Sequence, residues 1–323
     1  MIEMLQRRLD GYRAANPVLE EQAIREILQE VALYALWRSG FFEVAAFQGG
    51  TSLRILHQLP RFSEDLDFTL KEPDPAFNWR KHLAGLVDVL REFGLQSDVL
   101  DWSRMDLNVR KALLKDNSIG NQLNLSFSQG AAYRSLTIKL EIDVNPPAGS
   151  GFDYSYLDFP LDFEVCHQDL GSNFALKIHA LLCRPYLKGR DWYDFNWYIK
   201  QQVSPNLTHL QNALRQYGPW AGAEMVVDGS WLKDTLAEKI RAVDWKAAAQ
   251  DVERFLGTAE RESLKLWSDK FFLAKVAQLP SGLLRDSGIS SAAMGWSRMR
   301  SAPTKTTPPR PSPRRGEESF PTA

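Results

Sequence analysis

The sequence is short of the residues and runs that mark several common protein classes. It has two cysteines, Cys166 and Cys183, and five histidines, and none of them falls into a CxxC, HxH or HExxH pattern. These absences argue against a zinc site and favour reduced thiols in a cytoplasmic protein. No run of about 18 apolar residues occurs, so we expect no membrane span. The opening MIEMLQRRLD lacks the apolar core of a signal peptide.

A strong net charge is also missing. The chain carries 39 basic and 40 acidic residues, a net charge of −1, so a bulk basic field for nucleic acid is excluded, whereas a local basic groove is not. Neither GxxxxGK[ST] nor GxGxxG occurs, which excludes a Walker A loop and a Rossmann dinucleotide loop.

The patterns that are present predict a mixed α/β half followed by a helical half. We place the boundaries at residues 1–168, 169–280 and 281–323, the last being a Ser-, Pro- and Arg-rich segment that we expect to be a disordered tail. Apolar periodicity predicts helices over Pro17–Gly40 and Asp74–Phe93, and six more after Gly171, ending with one over Glu260–Gln278. Strands are predicted at Phe42–Phe47, Asp65–Leu70, Leu95–Leu100, Asn121–Ser128, Arg134–Val144 and Asp162–Cys166, with a hairpin turn near Gly130.

A glycine pair follows the first predicted strand. Gly49 and Gly50 would let backbone N–H groups approach a triphosphate at a helix N-terminus, and Thr51 and Ser52 add hydroxyl donors. Taken alone, the same residues fit a tight strand-to-helix turn in which Thr51 caps the helix, and that structural interpretation is the more common one.

Two carboxylates on one strand form the second feature. Asp65 and Asp67 project from the same face, about 7 Å apart at the backbone. Like charges this close are costly unless a cation lies between them, so the pair predicts a site for two Mg²⁺ ions that would orient a nucleoside triphosphate. The third ligand should come from an adjacent acidic strand, where Glu141 and Asp143 are both candidates.

These motifs and their order resemble a known group of enzymes, the DNA polymerase beta-like nucleotidyltransferase superfamily. Within it the chain is similar to the AbiEii/AbiGii toxin family, whose members carry GGT[AS]L, R[FY][ST]xDhDF, K-h-[DE]-h and a helical K-hh-ALhxR…RDhhDh motif, where h is hydrophobic. The corresponding stretches here are GGTSLR (49–54), RFSEDLDF (61–68), IKLEID (138–143), ALKIHALLCR (175–184) and KGRDWYDF (188–195). The resemblance covers roughly Phe47 to Trp197.

The resemblance implies a nucleotidyltransferase-fold mixed sheet with flanking helices, followed by a C-terminal helical bundle. It also implies a toxin of a toxin–antitoxin or abortive-infection system, with a cognate antitoxin encoded nearby. The expected reaction transfers a nucleoside monophosphate from an NTP to an acceptor, either a tRNA 3′ end or a protein side chain. The rival interpretation is a non-catalytic nucleotide-binding or scaffold protein that keeps the fold.

The helical motif supplies the remaining candidate residues. Lys177 could hold a phosphate and offset charge on the leaving pyrophosphate, with Asp191 orienting Lys177 or Arg190 and Asp194 adding a polar contact near the nucleotide. The alternative is a buried salt-bridge network that only docks the helical half. Arg61 is expected to brace the acidic strand or to contact phosphate.

Overall fold

The computed structural model describes residues 1–127 and 135–280, which fall within one compact unit. Seven strands lie in these residues: β1 (Ala45–Gln48), β2 (Leu66–Leu70), β3 (Ser97–Asp101), β4 (Val109–Asp116), β5 (Leu136–Asp143), β6 (Phe152–Leu157) and β7 (Phe163–Gln168). The α-helices are α1 (Ile2–Tyr12), α2 (Pro17–Arg38), α3 (Gly49–His57), α4 (Arg80–Glu92), α5 (Ile119–Gln122), α6 (Leu170–Cys183), α7 (Gly189–Lys200), α8 (Leu207–Gln216), α9 (Gly229–Arg241), α10 (Trp245–Glu253), α11 (Thr258–Ser263) and α12 (Asp269–Ala277).

The strands form one mixed sheet in the order β3-β4-β5-β2-β1-β7-β6. β1 runs antiparallel to β2 and parallel to β7, and β2 runs parallel to β5. Because β1 and β7 are parallel neighbours and each leads directly into a helix, α3 and α6 begin at the same edge of the sheet. The register then sets Gln48 opposite Asp67, and Asp67 opposite Glu141. The topology therefore brings the glycine pair, the acidic strands and the start of α6 together.

Buried apolar side chains form two clusters along the chain. The first extends from Leu5 to Cys166 and fills the space around the sheet. The second joins the helices that follow Leu170, and it also takes in Leu53 and Leu59 from α3 and the turn after it. The predicted mixed α/β sheet with a helical C-terminal half is thus confirmed. The domain boundary at residue 168 stays a prediction, and α3 is held by both cores.

Several predicted elements are confirmed with shifted ends, and others are wrong. The predicted helix Pro17–Gly40 is α2, whose Asn16 side chain accepts a hydrogen bond from the Leu19 N–H. Thr51 is not a cap, because α3 already begins at Gly49. The helix predicted over Glu260–Gln278 is divided into α11, a 3₁₀ turn and α12, which has its own cap at Ser268.

The strand predicted over Asn121–Ser128 is also wrong in its described part. Residues 119–122 are helical, and the following backbone N–H groups do not pair with a strand. Instead, Asn124 donates to the Gln6 side chain, and Ser126 and Phe127 donate to the Glu20 carboxylate. Buried backbone groups need a partner, and side chains supply it here. Strands β4 and β6 were missed by the sequence analysis.

Two remaining predictions concern other parts of the chain. The hairpin turn near Gly130 and the tail over 281–323 lie outside the described residues. Within the described residues, no helix is both long enough and apolar enough to span a membrane.

Candidate active site

A cleft of about 810 Å³ opens at the sheet edge where β1 ends. Its lining combines side chains from the acidic strands with side chains from α6 and α7. Of the residues predicted from sequence, the lining includes Gly49, Gly50, Arg61, Asp65, Asp67, Glu141, Asp143, Lys177, Arg190 and Asp191. Thr51, Ser52 and Asp194 are buried and do not belong to the lining.

The glycine pair is required by two neighbouring side chains. Gly49 has a φ of +78°, and a Cβ there would lie 2.8 Å from Oδ2 of Asp67. A Cβ on Gly50 would lie 2.3 Å from Nη2 of Arg61. The first glycine therefore makes room for a carboxylate of the sheet, and the second makes room for a guanidinium that reaches towards the helical half.

The hydroxyl groups after the glycines hold the turn. Thr51 donates its Oγ1 hydrogen to the Asp65 carbonyl, and Ser52 Oγ donates to the Gly49 carbonyl at 2.9 Å. Asn173 of α6 completes the arrangement, since its Oδ1 accepts the Gly49 N–H at 3.2 Å and its Nδ2 donates to Ser52 Oγ at 3.1 Å. These hydroxyls have internal partners. Their role in nucleotide binding stays a prediction.

The carboxylates of the sheet are electrostatically crowded. Burial, followed by the charges of Asp65 and Glu141, raises the pKa of Asp67 to about 6. Burial is also the main cause that raises the pKa of Asp65, with Lys139 opposing it. A raised pKa means that the surroundings disfavour the charged form of the carboxylate. A cation beside this pair would favour its charged form.

The two candidates for a third carboxylate differ in their contacts. Glu141 lies beside Asp67 in the register, and its Oε1 accepts from Nζ of Lys111 at 2.8 Å. Asp143 lies further along β5, beside Thr69, and its Oδ1 accepts the Asn145 N–H at 2.9 Å. Burial raises the pKa of Asp143.

A three-carboxylate metal set is not preformed. In the part of the chain that the structure describes, no group of three or more His, Cys, Asp or Glu side chains is placed to hold one metal ion. One oxygen of Glu141, Oε1, is already engaged by Lys111. The donor chemistry nevertheless fits a hard divalent cation, since carboxylate oxygens are the ligands Mg²⁺ prefers, and burial together with neighbouring negative charge raises the pKa of Asp67. The metal role of Asp65, Asp67 and Glu141 stays a prediction.

The opposite wall of the cleft is a network of ion pairs. Nζ of Lys177 lies 2.8 Å from Oδ1 of Asp191 and 2.8 Å from Oδ2 of Asp194. Arg61 donates from Nε and Nη2 to the two carboxylate oxygens of Asp194, both at 2.6 Å, and Arg184 donates to Asp191. Burial alone would raise the pKa of Asp191 and of Asp194. At Asp191 the charges of Lys177 and Arg184 outweigh burial and lower the pKa. At Asp194 the charges of Arg61 and Lys177 do the same.

These contacts correspond to the docking network that the sequence analysis weighed as the alternative role of the helical motif. Asp191 does contact Lys177, as expected, but Arg190 pairs with Glu64 at 3.0 Å instead. Arg61 does not brace the acidic strand through a carboxylate of that strand, because its bidentate partner is Asp194 of α7. The chain uses this buried pair to join the turn after α3 to the helical half.

Three residues of the site were missed by the sequence analysis. Asn173 and Lys111 reach the site through contacts between distant segments, and Lys111 lies on β4, a strand that was not predicted. Lys188 lies within a quoted motif and lines the cleft. The order Lys-Gly-Arg-Asp at the start of a helix was the available signal for it.

Comparisons with known proteins identify similar structures and a matching family. Two solved structures from Helicobacter pylori are similar in fold. One, described as a candidate nucleotidyltransferase, is 16% identical with a TM-score of 0.47, over 81% of this chain and 98% of its own. JHP933 is 15% identical with a TM-score of 0.43, over 80% of this chain and 89% of its own. No curated protein matches the chain. The model of the family described as nucleotidyl transferase AbiEii toxin, type IV toxin–antitoxin system, matches residues 31–273. The chain therefore belongs to the AbiEii nucleotidyltransferase toxin family.

Proposed function

We propose that the protein transfers a nucleoside monophosphate from an NTP to an acceptor and releases pyrophosphate, as the toxin of a pair whose antitoxin is encoded nearby. The strongest support is the pairing of two walls in one cleft. Asp65 and Asp67 present carboxylates with raised pKa values, and α6 and α7 present cations opposite them. A triphosphate bound to a divalent cation complements both walls.

The reaction forms one bond and breaks one. An acceptor hydroxyl oxygen bonds to the α-phosphorus of the NTP, and the bond from that phosphorus to the oxygen bridging to the β-phosphate breaks. Asp65 and Asp67 would hold Mg²⁺, joined by Glu141 when it leaves Lys111. Bound there, Mg²⁺ would neutralise developing phosphate charge. Glu141 or Asp143 would take the proton of the attacking hydroxyl.

The glycine turn and the helical wall, which is the side of the cleft formed by α6 and α7, position the substrate. The start of α3 offers its positive helix end to the phosphates, together with the N–H groups of its first turn other than that of Gly49, which Asn173 accepts. Gly49 and Gly50 keep that approach open because they carry no side chains. Lys177 and Arg190 add positive charge on the opposite wall, although both also form ion pairs with carboxylates.

A labelling experiment tests the proposal. The purified chain is incubated with each α-³²P-labelled NTP, Mg²⁺ and a cell extract, and the label is followed in RNA and in protein separately. We expect label in one of the two fractions with the wild type, and none with Asp67→Asn. Asp98→Asn is the matched control, because Asp98 is an exposed carboxylate on β3 that does not line the cleft.

The same experiment separates the two candidate acceptors and the rival function. Label in RNA would lead to sequencing of tRNA 3′ ends after induction of the toxin, and label in protein would lead to peptide mapping. If the wild type labels neither fraction and its expression is no more toxic than that of Asp67→Asn, the non-catalytic interpretation is the better one.

A further inference from the structure

The basic side chains that line the cleft differ in whether they already form ion pairs with carboxylates of the protein. Six basic side chains belong to the lining: Arg61, Lys111, Lys177, Arg184, Lys188 and Arg190. Five of them form ion pairs with carboxylates. Among the described residues, Lys188 is the cation of this lining that forms no ion pair and no side-chain hydrogen bond.

Two of the engaged cations, Lys177 and Arg61, have little left to offer a ligand. Two of the three hydrogens of the Lys177 ammonium are directed at Asp191 and Asp194. Arg61 is about 2% exposed and donates from two nitrogens to one carboxylate. Removing either cation would take from a buried carboxylate one of the two cations that neutralise it, which is unfavourable. A triphosphate could therefore bind Lys177 or Arg61 only by weakening a buried ion pair.

Lys188 projects from a fixed piece of backbone. It is the residue before the first turn of α7, and Gly189 follows it. A Cβ at Gly189 would lie 1.9 Å from the Ala248 carbonyl oxygen, so the chain is pressed against α10 at this point. The Gly189 N–H also donates to Oδ2 of Asp251 at 2.8 Å. The Lys188 side chain thus starts from a defined position at the rim of the cleft.

The charges around Lys188 favour an anion beside it. Burial, and then the neighbouring Arg190, Lys177 and Arg184, lower the pKa of Lys188, and Asp191 opposes them. The positive charge of Lys188 in turn lowers the pKa of Asp67 across the cleft. An anion that reaches from the Asp67 side to Lys188 would relieve the surplus of positive charge on the helical wall.

We infer that Lys188 is the side chain that binds the β- and γ-phosphates of the incoming NTP, while Lys177 positions Asp191 and Asp194. The inference rests on the proposed nucleotidyltransferase function and assigns the phosphate contact within it. In this arrangement the α-phosphate would lie near the carboxylates while the terminal phosphates extend towards α7.

Nucleotide binding measured by calorimetry tests the assignment without catalysis. Wild type, Lys188→Met, Lys188→Arg and Lys239→Met are titrated with a non-hydrolysable NTP analogue and with the NMP, each with Mg²⁺. Lys239 is the matched control, because it lines the neighbouring 300 Å³ pocket but not the cleft and forms no ion pair in the described residues. We expect Lys188→Met to weaken NTP binding about ten- to hundredfold, the loss of one charge-assisted hydrogen bond.

Three further expectations separate a phosphate contact from a structural role. NMP binding is expected to stay unchanged in Lys188→Met, Lys188→Arg to retain most of the NTP affinity, and the midpoint of urea unfolding to stay at the wild-type value. By contrast, Lys177→Met is expected to lower that midpoint, because it breaks buried ion pairs. If Lys188→Met binds the NTP as tightly as the wild type, or loses NTP and NMP equally, the inference is wrong. If the wild type binds no NTP, the proposed function itself fails, and the inference fails with it.

Discussion

The two walls of the cleft use the same residue types with opposite electrostatic outcomes. On the sheet wall the pKa values of Asp65 and Asp67 are raised, because burial and repulsion from nearby carboxylates outweigh the attraction of neighbouring basic side chains. On the helical wall the pKa values of Asp191 and Asp194 are lowered, because basic side chains outweigh burial. The difference indicates that the carboxylates of the helical wall are neutralised within the protein, whereas we propose that a bound cation balances those of the sheet wall.

The turn at Gly49 and Gly50 connects the two walls. Gly49 lies against Asp67 of the sheet wall, and Gly50 lies against Arg61, which pairs with Asp194 of the helical wall. A single dipeptide therefore sets how closely the carboxylates and the ion-pair network approach. This gives the glycine pair a structural requirement that is independent of the phosphate contact it was predicted to make.

The largest expected effect is the loss of the buried pair on the helical wall. Asp194→Ala leaves Arg61 buried without its bidentate partner and removes one contact of Lys177, so we expect a loss of about 3–5 kcal/mol in the free energy of unfolding. Urea denaturation measures it, with Asp98→Ala as an exposed control. A loss below about 1 kcal/mol would mean that the network does not hold the two halves together.

On the sheet wall, removing a carboxylate charge is expected to raise the free energy of unfolding instead of lowering it. The folded-state pKa of Asp67 is raised from 3.8 to about 6, so ionisation disfavours the folded state, and stability falls as the pH rises through that interval. Asp67→Asn removes this cost and should raise the free energy of unfolding at pH 8 by at most about 3 kcal/mol while abolishing transfer. Denaturation at pH 4 and pH 8 checks the sign, since the gain should vanish at the lower pH. A variant that is less stable than the wild type at pH 8 would contradict the contrast between the walls.

The turn itself can be tested on each side. Gly50→Ala should lower the free energy of unfolding by about 1–3 kcal/mol, because its Cβ overlaps the Arg61 guanidinium. Gly49→Ala should cost roughly 1–2 kcal/mol through its left-handed backbone, and should also displace Asp67 and reduce transfer. Equal residual activity in the two variants would show that the glycines do not serve different walls.

The smallest effect concerns the salt bridge between Lys111 and Glu141. Both side chains are partly exposed, so Lys111→Met should change the free energy of unfolding by less than about 1 kcal/mol. It releases the Glu141 carboxylate, and we expect tighter Mg²⁺ binding as a result. Calorimetric titration with Mg²⁺ measures it. Weaker or unchanged Mg²⁺ binding would argue that Glu141 is not the third ligand.

Apolar periodicity in the sequence predicted much of this fold, but it did not predict a strand whose buried face carries charged residues. β4 was missed because Arg110 and Asp116 lie on its buried face beside Ala112 and Leu114, which hides the alternation. Arg110 is accommodated by carbonyl oxygens of the turn before β4 and of the distant Pro75, and Asp116 by N–H and hydroxyl groups near α5. β6 was missed because it is an edge strand that buries no complete face.

In the site, too, the sequence reveals which residues carry the chemistry but not which of them pair with each other. Motifs identified Asp65, Asp67 and Lys177 as chemistry-bearing residues, and the structure places all three in one cleft. What they could not supply was which charges neutralise each other, because such partners are far apart in the chain. Arg61 and Asp194 are separated by 133 positions, and Lys111 and Glu141 by 30.

The most direct test of the contrast is the effect of Mg²⁺ on unfolding. The free energy of unfolding is measured at pH 8 with and without Mg²⁺ for the wild type, Asp67→Asn and Asp98→Asn. If the sheet wall is completed by a cation, Mg²⁺ at a hundred times its dissociation constant should stabilise the wild type and Asp98→Asn by about 2.7 kcal/mol, and Asp67→Asn by much less. No stabilisation of the wild type, or equal stabilisation of all three, would contradict the account.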